Sequence, residues 1–305
     1  MPRRLWGLVL AAALVALPAG VLRALCAGRS CARAAPASAR VPFCSLPADT
    51  RAALGNGFRS GRSPDVLAVA RAGLPGAPGW PRASGGDPTV PVVLAGEGVR
   101  PGTDLPASFS LDDVAPTVAE IVGLRRPHPE VRSGRPAPGV ATGTRPRLVL
   151  EVVQEGAGPS ALRGRGAWRF AASLARAGAA APAVPVGSLP ADPAAVLATI
   201  GTGGLPRQHG ITGTLVRDDD GRVVRAWARP SPPSVIATLA DDLDERLGGR
   251  PRVGVVGPGP YARGLVGGNW YLRRDRDDVV VDRRDPFGRA AAVLRRGYGR
   301  DAVPD

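Results

Sequence analysis

Leu148-Val149-Leu150-Glu151-Val152-Val153 is the stretch on which the fold of this 305-residue chain turns. Five of its six residues are apolar and three are β-branched. A nearly continuous apolar run of this length suits a strand buried on both faces of a parallel sheet better than one with a wet face. Four other runs have the same character: Asp65-Val66-Leu67-Ala68-Val69, Val90-Pro91-Val92-Val93-Leu94, Arg252-Val253-Gly254-Val255-Val256 and Val279-Val280-Val281. Helical periods lie between them. One opens at Asp112 or Asp113, either of which can cap it, and carries Val114, Val118, Ile121 and Val122 on one face. Another runs from Ser234 to about Leu247 and stops at Gly248-Gly249. From Thr214 to Trp227 the pattern is a hairpin turning at Asp219-Asp220-Gly221. Strands alternating with helices predict an α/β fold, a mostly parallel sheet with helices on both faces.

The composition narrows the function. With 44% hydrophobic and 22% charged residues the chain can bury a large core. Its 41 glycines and 33 prolines, about a quarter of the sequence, predict many loops. The net charge of +14 comes with 40 basic residues that are all arginine. That bias, beside the abundance of Ala, Gly, Pro and Val, reflects base composition and is no signature of a polyanion partner. The runs Arg273-Arg274-Asp275-Arg276-Asp277-Asp278 and Arg283-Arg284-Asp285 mix both signs, and aromatic content is 4%, so no nucleic-acid partner is expected. The two histidines are His128 and His209, and the three cysteines all lie in the first 44 residues. The body therefore lacks the means for an ordinary Cys/His zinc site.

Arg3 and Arg4 precede an uncharged apolar run over residues 5–22, the layout of an export signal. Residues 1–25 thus form a signal peptide or a membrane anchor, and poor small-residue cleavage sites near Ala19 favour retention. Either outcome puts the body in the cell envelope or outside the cell. In such an oxidising compartment two of Cys26, Cys31 and Cys44 can pair, leaving a third. Residues 26–42 are a linker. A first segment spans 43–135, a Pro/Gly-rich junction 136–146, and a second segment of the same domain 147–305.

Ala198-Thr199-Ile200-Gly201-Thr202-Gly203-Gly204-Leu205-Pro206-Arg207-Gln208-His209-Gly210-Ile211 is the strongest local feature. A helix runs up to Thr202 and stops on glycine, and a new element is expected from His209. The wording from Thr202 to Ile211 resembles the T-G-x-x-P-x-x-H-G-I segment of the alkaline phosphatase superfamily, in particular its nucleotide pyrophosphatase and phosphodiesterase branch. Other pieces resemble the same family. Val152-Val153-Gln154-Glu155-Gly156 stands where the family has a strand ending in a metal-binding Asp-Gly, and Gly264 to Tyr271 resembles its glycine-rich turn into an aromatic pair. Asn56 to Leu67, Val90 to Val99 and Leu111 to Leu124 resemble the family's late strand, its V-P segment and its D-I-A-P-T helix. The likeness covers residues 43–305 with the family's late pieces first. It implies an alkaline-phosphatase-like core in circularly permuted order, cut short at Asp305 by a truncated or split reading frame.

Enzymes of that family place a Thr or Ser nucleophile between two zinc ions held by Asp and His, because a hydroxyl needs metal coordination to ionise near neutral pH. This chain departs from the pattern. The Asp-Gly ligand becomes Glu155-Gly156, no His lies between Trp80 and Thr89, and family spacing puts Asp192 and Pro193 at the nucleophile's place. Ser188 is the nearest hydroxyl, several residues early. His209 matches a family His that is not a metal ligand, and His128 sits among prolines away from any ligand motif. The expectation is an exported protein with a degenerate phosphohydrolase centre and no cofactor, serving as an envelope binding or scaffold domain. The alternative is an active phosphodiesterase or phosphatase with zinc or another divalent metal on Glu155 and Ser188 as nucleophile. A third reading, a dinucleotide-binding oxidoreductase, uses Gly257-Pro258-Gly259-Pro260-Tyr261-Ala262 with Asp275 or Asp277 as the ribose-binding acid. It is disfavoured because two prolines remove N–H donors from the phosphate turn.

Overall fold

A computed structural model describes residues 42–67, 88–156, 158–159, 162, 169–227, 233–250, 253–257, 259–267 and 279–282. The apolar run 5–22, Cys26, Cys31, Ala68-Val69, most of the Trp80 to Thr89 stretch, Asn269 to Tyr271, the two Arg/Asp runs and the chain end lie outside these residues. The chain divides into two units, residues 1–46 and 47–305. The first contributes a 3-10 turn, Phe43–Ser45, with an exposed Cys44. Among the described residues no helix is long and apolar enough to cross a membrane.

The second unit carries helices α1 (Ala48–Gly57), α2 (Val114–Val122), α3 (Arg169–Ala177), α4 (Pro193–Thr202), α5 (Pro206–His209) and α6 (Leu239–Leu247). Their ends follow local chemistry. Before α2, a 3-10 turn over Leu111–Asp113 brings the Asp113 carboxylate back to the Ser110 N–H, 2.9 Å away, and Gly123 closes the helix in the left-handed region. The helix expected from Ser234 begins later, at Leu239. Thr238 Oγ1 accepts from the Asp241 N–H at 3.2 Å while the Asp241 carboxylate accepts from the Thr238 N–H at 2.8 Å.

The strands form three small sheets. β1 (Thr89–Leu94) runs antiparallel to β3 (Ala179–Pro185), and β2 (Thr103–Asp104) joins the other side of β3 in parallel. β4 (Leu215–Arg217) and β5 (Val223–Arg225) make the expected hairpin around Gly221. β6 (Gly254–Gly257) pairs in parallel with β7 (Val279–Asp282). The mostly parallel sheet with helices on both faces, and the alkaline-phosphatase-like core built on it, are therefore corrected. The architecture is mixed α and β, with small sheets of mixed strand direction.

The physical reason lies in two segments. Residues 148–153, which anchored the parallel reading, form no strand and join no ladder, and Leu148, Leu150 and Val152 are 79%, 79% and 78% exposed. Asp65-Val66-Leu67 likewise forms no strand. Conversely, β3 has the sequence Ala-Ala-Ala-Pro-Ala-Val-Pro, with hardly any of the β-branched or aromatic residues that mark strands. It is central because Ala179 and Val184 pack into the main cluster with Phe109, Val140, Leu197 and Ile200. Ala194 and Ala198 face a second cluster with Ile211 and Val216. α4 thus sits between two apolar groups and is buried nearly all round, as its Ala-rich sequence permits.

Candidate functional site

α4 and α5 hold the residues that the sequence singled out. Asp192 caps α4, its Oδ1 accepting from the Ala194 N–H at 2.9 Å and from Thr214 Oγ1 at 2.8 Å. At the other end Thr202 turns its hydroxyl onto the Ala198 carbonyl and accepts from the Gly204 N–H at 3.2 Å. Gly203, with φ of 75°, ends the helix in the left-handed region as expected. Pro206 then opens α5, with Gln208 Oε1 accepting from the Leu205 N–H and from Ser133 Oγ, each at 2.8 Å. His209 ends this turn; it does not begin an element as the sequence suggested.

His209 is fully buried between two partners. Its Nδ1 accepts from the Ile211 N–H at 3.1 Å, so the ring proton sits on Nε2, which donates to Thr199 Oγ1 at 3.1 Å. Burial, with the positive charge of Arg59 adding to it, lowers the imidazole pKa from 6.5 to about 3. Arg59 is held there because its Nη1 donates to the Arg207 and Gln208 carbonyls at 2.8 and 3.0 Å, closing the C-terminal end of α5. The imidazole is thus a neutral cross-brace between α4 and α5. His128 is exposed beside Glu130, 3.3 Å away.

Ser188 and Glu155 sit in different settings, one buried and one exposed. Ser188 has no exposed surface, and its Oγ has no hydrogen-bond partner. The backbone around it is pinned by Asn56 Nδ2 to the Gly187 carbonyl at 2.8 Å and by the Leu189 N–H to the Ala53 carbonyl at 2.9 Å. A hydroxyl becomes a nucleophile through a base or a metal within reach, and among the described residues no side chain hydrogen-bonds to this one. Glu155 is exposed and accepts from the Tyr261 hydroxyl at 3.0 Å. Among the described residues no group of three His, Cys, Asp or Glu gathers as a metal cluster would.

The sequence reading missed an ionic cluster beside this region. Asp242 Oδ2 accepts from Arg126 Nε at 2.6 Å and from Arg132 Nη2 at 3.2 Å, with all three side chains buried. Arg132 Nε also donates to the Thr202 carbonyl at 3.0 Å, tying the cluster to the end of α4. Arg125-Arg126-Pro127-His128-Pro129 reads as a solvated basic run, so the signal for burial is absent from it. The neighbouring carboxylate of Asp113 accepts from the Arg135 N–H at 2.7 Å; burial nevertheless raises its pKa.

The glycine turn of the dinucleotide reading has a packing role. After β6 comes a 3-10 turn, Pro260–Gly264, and among the described residues that follow it no long helix offers its N-terminus to a pyrophosphate. Gly201 of α4 lies so close to this turn that a Cβ there would sit 2.2 Å from the Gly264 carbonyl oxygen. Asp275 and Asp277 lie outside the described residues. Comparison with protein-family models, curated proteins and solved structures finds no match for this chain.

Proposed function

We propose that this chain is an exported or membrane-anchored binding or scaffold domain of the cell envelope, in which a segment worded like a phosphohydrolase motif serves structure. The observation that carries the reading is where the motif's polar groups go. His209 braces Thr199, Thr202 folds back on its own helix, Asp192 caps α4, and Ser188 is sealed inside without a base. Groups committed to one another in the interior are not free to hold a phosphoryl group or activate water. The sequence resemblance to the alkaline phosphatase superfamily supports an origin for the motif, and the apolar run at residues 5–22 supports export.

The test is hydrolysis of bis-p-nitrophenyl phosphate by the purified chain in zinc, manganese and magnesium, with metal analysis of the same sample. The expected result is no bound stoichiometric metal and no turnover that changes with Ser188→Ala or Glu155→Gln. Stoichiometric metal together with turnover abolished by Ser188→Ala would overturn it in favour of a metal-dependent phosphodiesterase using Glu155 and Ser188.

A further inference from the structure

The chain has two asparagines, Asn56 and Asn269, followed by Gly57 and Trp270. An asparagine before glycine loses its side-chain amide most readily, because no Cβ shields the backbone nitrogen that follows. We propose that Asn56-Gly57 is a latent deamidation site. The fold keeps it unreacted by seating the end of α1 on residues 187–189, and it reacts irreversibly when that seat opens.

The reaction needs only water. The Gly57 nitrogen gives its proton to water or hydroxide and attacks Asn56 Cγ. The new C–N bond closes a five-membered imide, and the Cγ–Nδ2 bond breaks to release ammonia. Water adding at Cγ then leaves aspartate; water adding at the main-chain carbonyl leaves isoaspartate, with one extra carbon in the backbone.

Three observations describe the closed state. Residues 56 and 57 end α1, and helical ψ, about −42°, holds the Gly57 nitrogen out of the ring-closing geometry. Asn56 Nδ2 donates to the Gly187 carbonyl at 2.8 Å, so the amide is pinned by its own leaving group. Gly57 is buried, and the Leu189 carbonyl oxygen lies where a Cβ on Gly57 would go, while the Leu189 N–H donates to the Ala53 carbonyl at 2.9 Å. The peptide between 56 and 57 therefore lacks room to rotate until residues 187–189 lift off α1. The products do not fit back. An aspartate carboxylate has no N–H for the Gly187 carbonyl, and isoaspartate lengthens the backbone where the Leu189 carbonyl leaves no space. Once reacted, the seat stays open, and Ser188, fully buried in the parent, is uncovered.

The full chain is incubated in mildly alkaline buffer with and without denaturing urea, and tryptic peptide 52–59 is followed by mass spectrometry. Conversion of the native chain should be at least ~100-fold slower than in urea, as for a site that reacts only through local opening. Leu189→Val, which loosens the seat, should speed native conversion several-fold more than Asp242→Asn does at urea concentrations giving the two variants equal global stability. With the three native cysteines replaced by serine, Ser188→Cys should resist a maleimide. Adding Asn56→Asp, the reaction product, should speed its labelling at least ~10-fold. Equal conversion with and without urea, no excess for Leu189→Val at matched stability, or a Ser188→Cys thiol as well shielded beside Asn56→Asp as without it would overturn the proposal.

Discussion

The ring of His209 has no exposed surface, so it folds as the neutral imidazole. Its pKa falls from 6.5 to about 3, first through burial and then through Arg59. The unfolded chain binds a proton below about 6.5 that the folded chain refuses. This contribution to stability is therefore complete above that pH and is lost as pH falls toward 3, at up to about 1.4 kcal/mol per pH unit. His209→Gln removes the titration and the Ile211 bond together. At pH 7.5 it should be less stable than the parent by about 1–3 kcal/mol, and the gap should narrow markedly at pH 4.5 in urea unfolding. A gap that stays constant would show that the ring does not carry this linkage. The local half of this site was legible in the sequence: Gly203 stopping α4 and Pro206 opening α5 depend on near neighbours. The fates of Ser188 and Glu155 were not legible, because each is decided far along the chain. Asn56 lies 131 residues from Gly187, and Tyr261 lies 106 residues from Glu155.

At the level of elements, α6 gives the cleanest case of a side chain setting a boundary. Thr238 Oγ1 accepts the Asp241 N–H and donates to the Asp241 carboxylate, with both residues buried. Thr238→Ala should cost about 1–2 kcal/mol, toward the upper end of the range for lost caps because Asp241 is left short of a donor. Thr238→Ser should recover most of that loss; guanidinium unfolding of the three proteins checks both. Caps, glycine stops and the β4–β5 hairpin could be read from sequence because each is written within four or five residues. Sheet membership could not. Residues 148–153 have the composition of a buried strand but pair with no described strand, while β3 has the composition of a loop and lies between two strands. Hydrophobic run length reports the wish for a dry face; which strand supplies it is a long-range matter of packing.

On the scale of the whole second unit, the Arg126, Arg132 and Asp242 cluster joins three parts of the chain that are distant in sequence. Arg132 alone donates to the carbonyls of Thr202, Pro127, His128 and Ala237. It thereby holds the end of α4, the segment after α2 and the approach to α6 in one arrangement. Asp242→Asn keeps the shape but removes the carboxylate charge that the two buried guanidinium groups share. That should cost about 3–5 kcal/mol, a large part of the 5–15 kcal/mol typical of a folded domain, and move the urea midpoint down by about 1–2 M. Replacing all three residues by leucine removes the stranded charge, and for many buried ion pairs such a change is neutral or favourable. Here it should not rescue stability, because the buried Thr202 and Ala237 carbonyls that Arg132 serves would lose that donor in a dry setting. Urea unfolding of the single and triple variants separates the two effects. A triple variant as stable as the parent would mean that the cluster's worth is only the neutralisation of its own charges, and that the carbonyls find other donors.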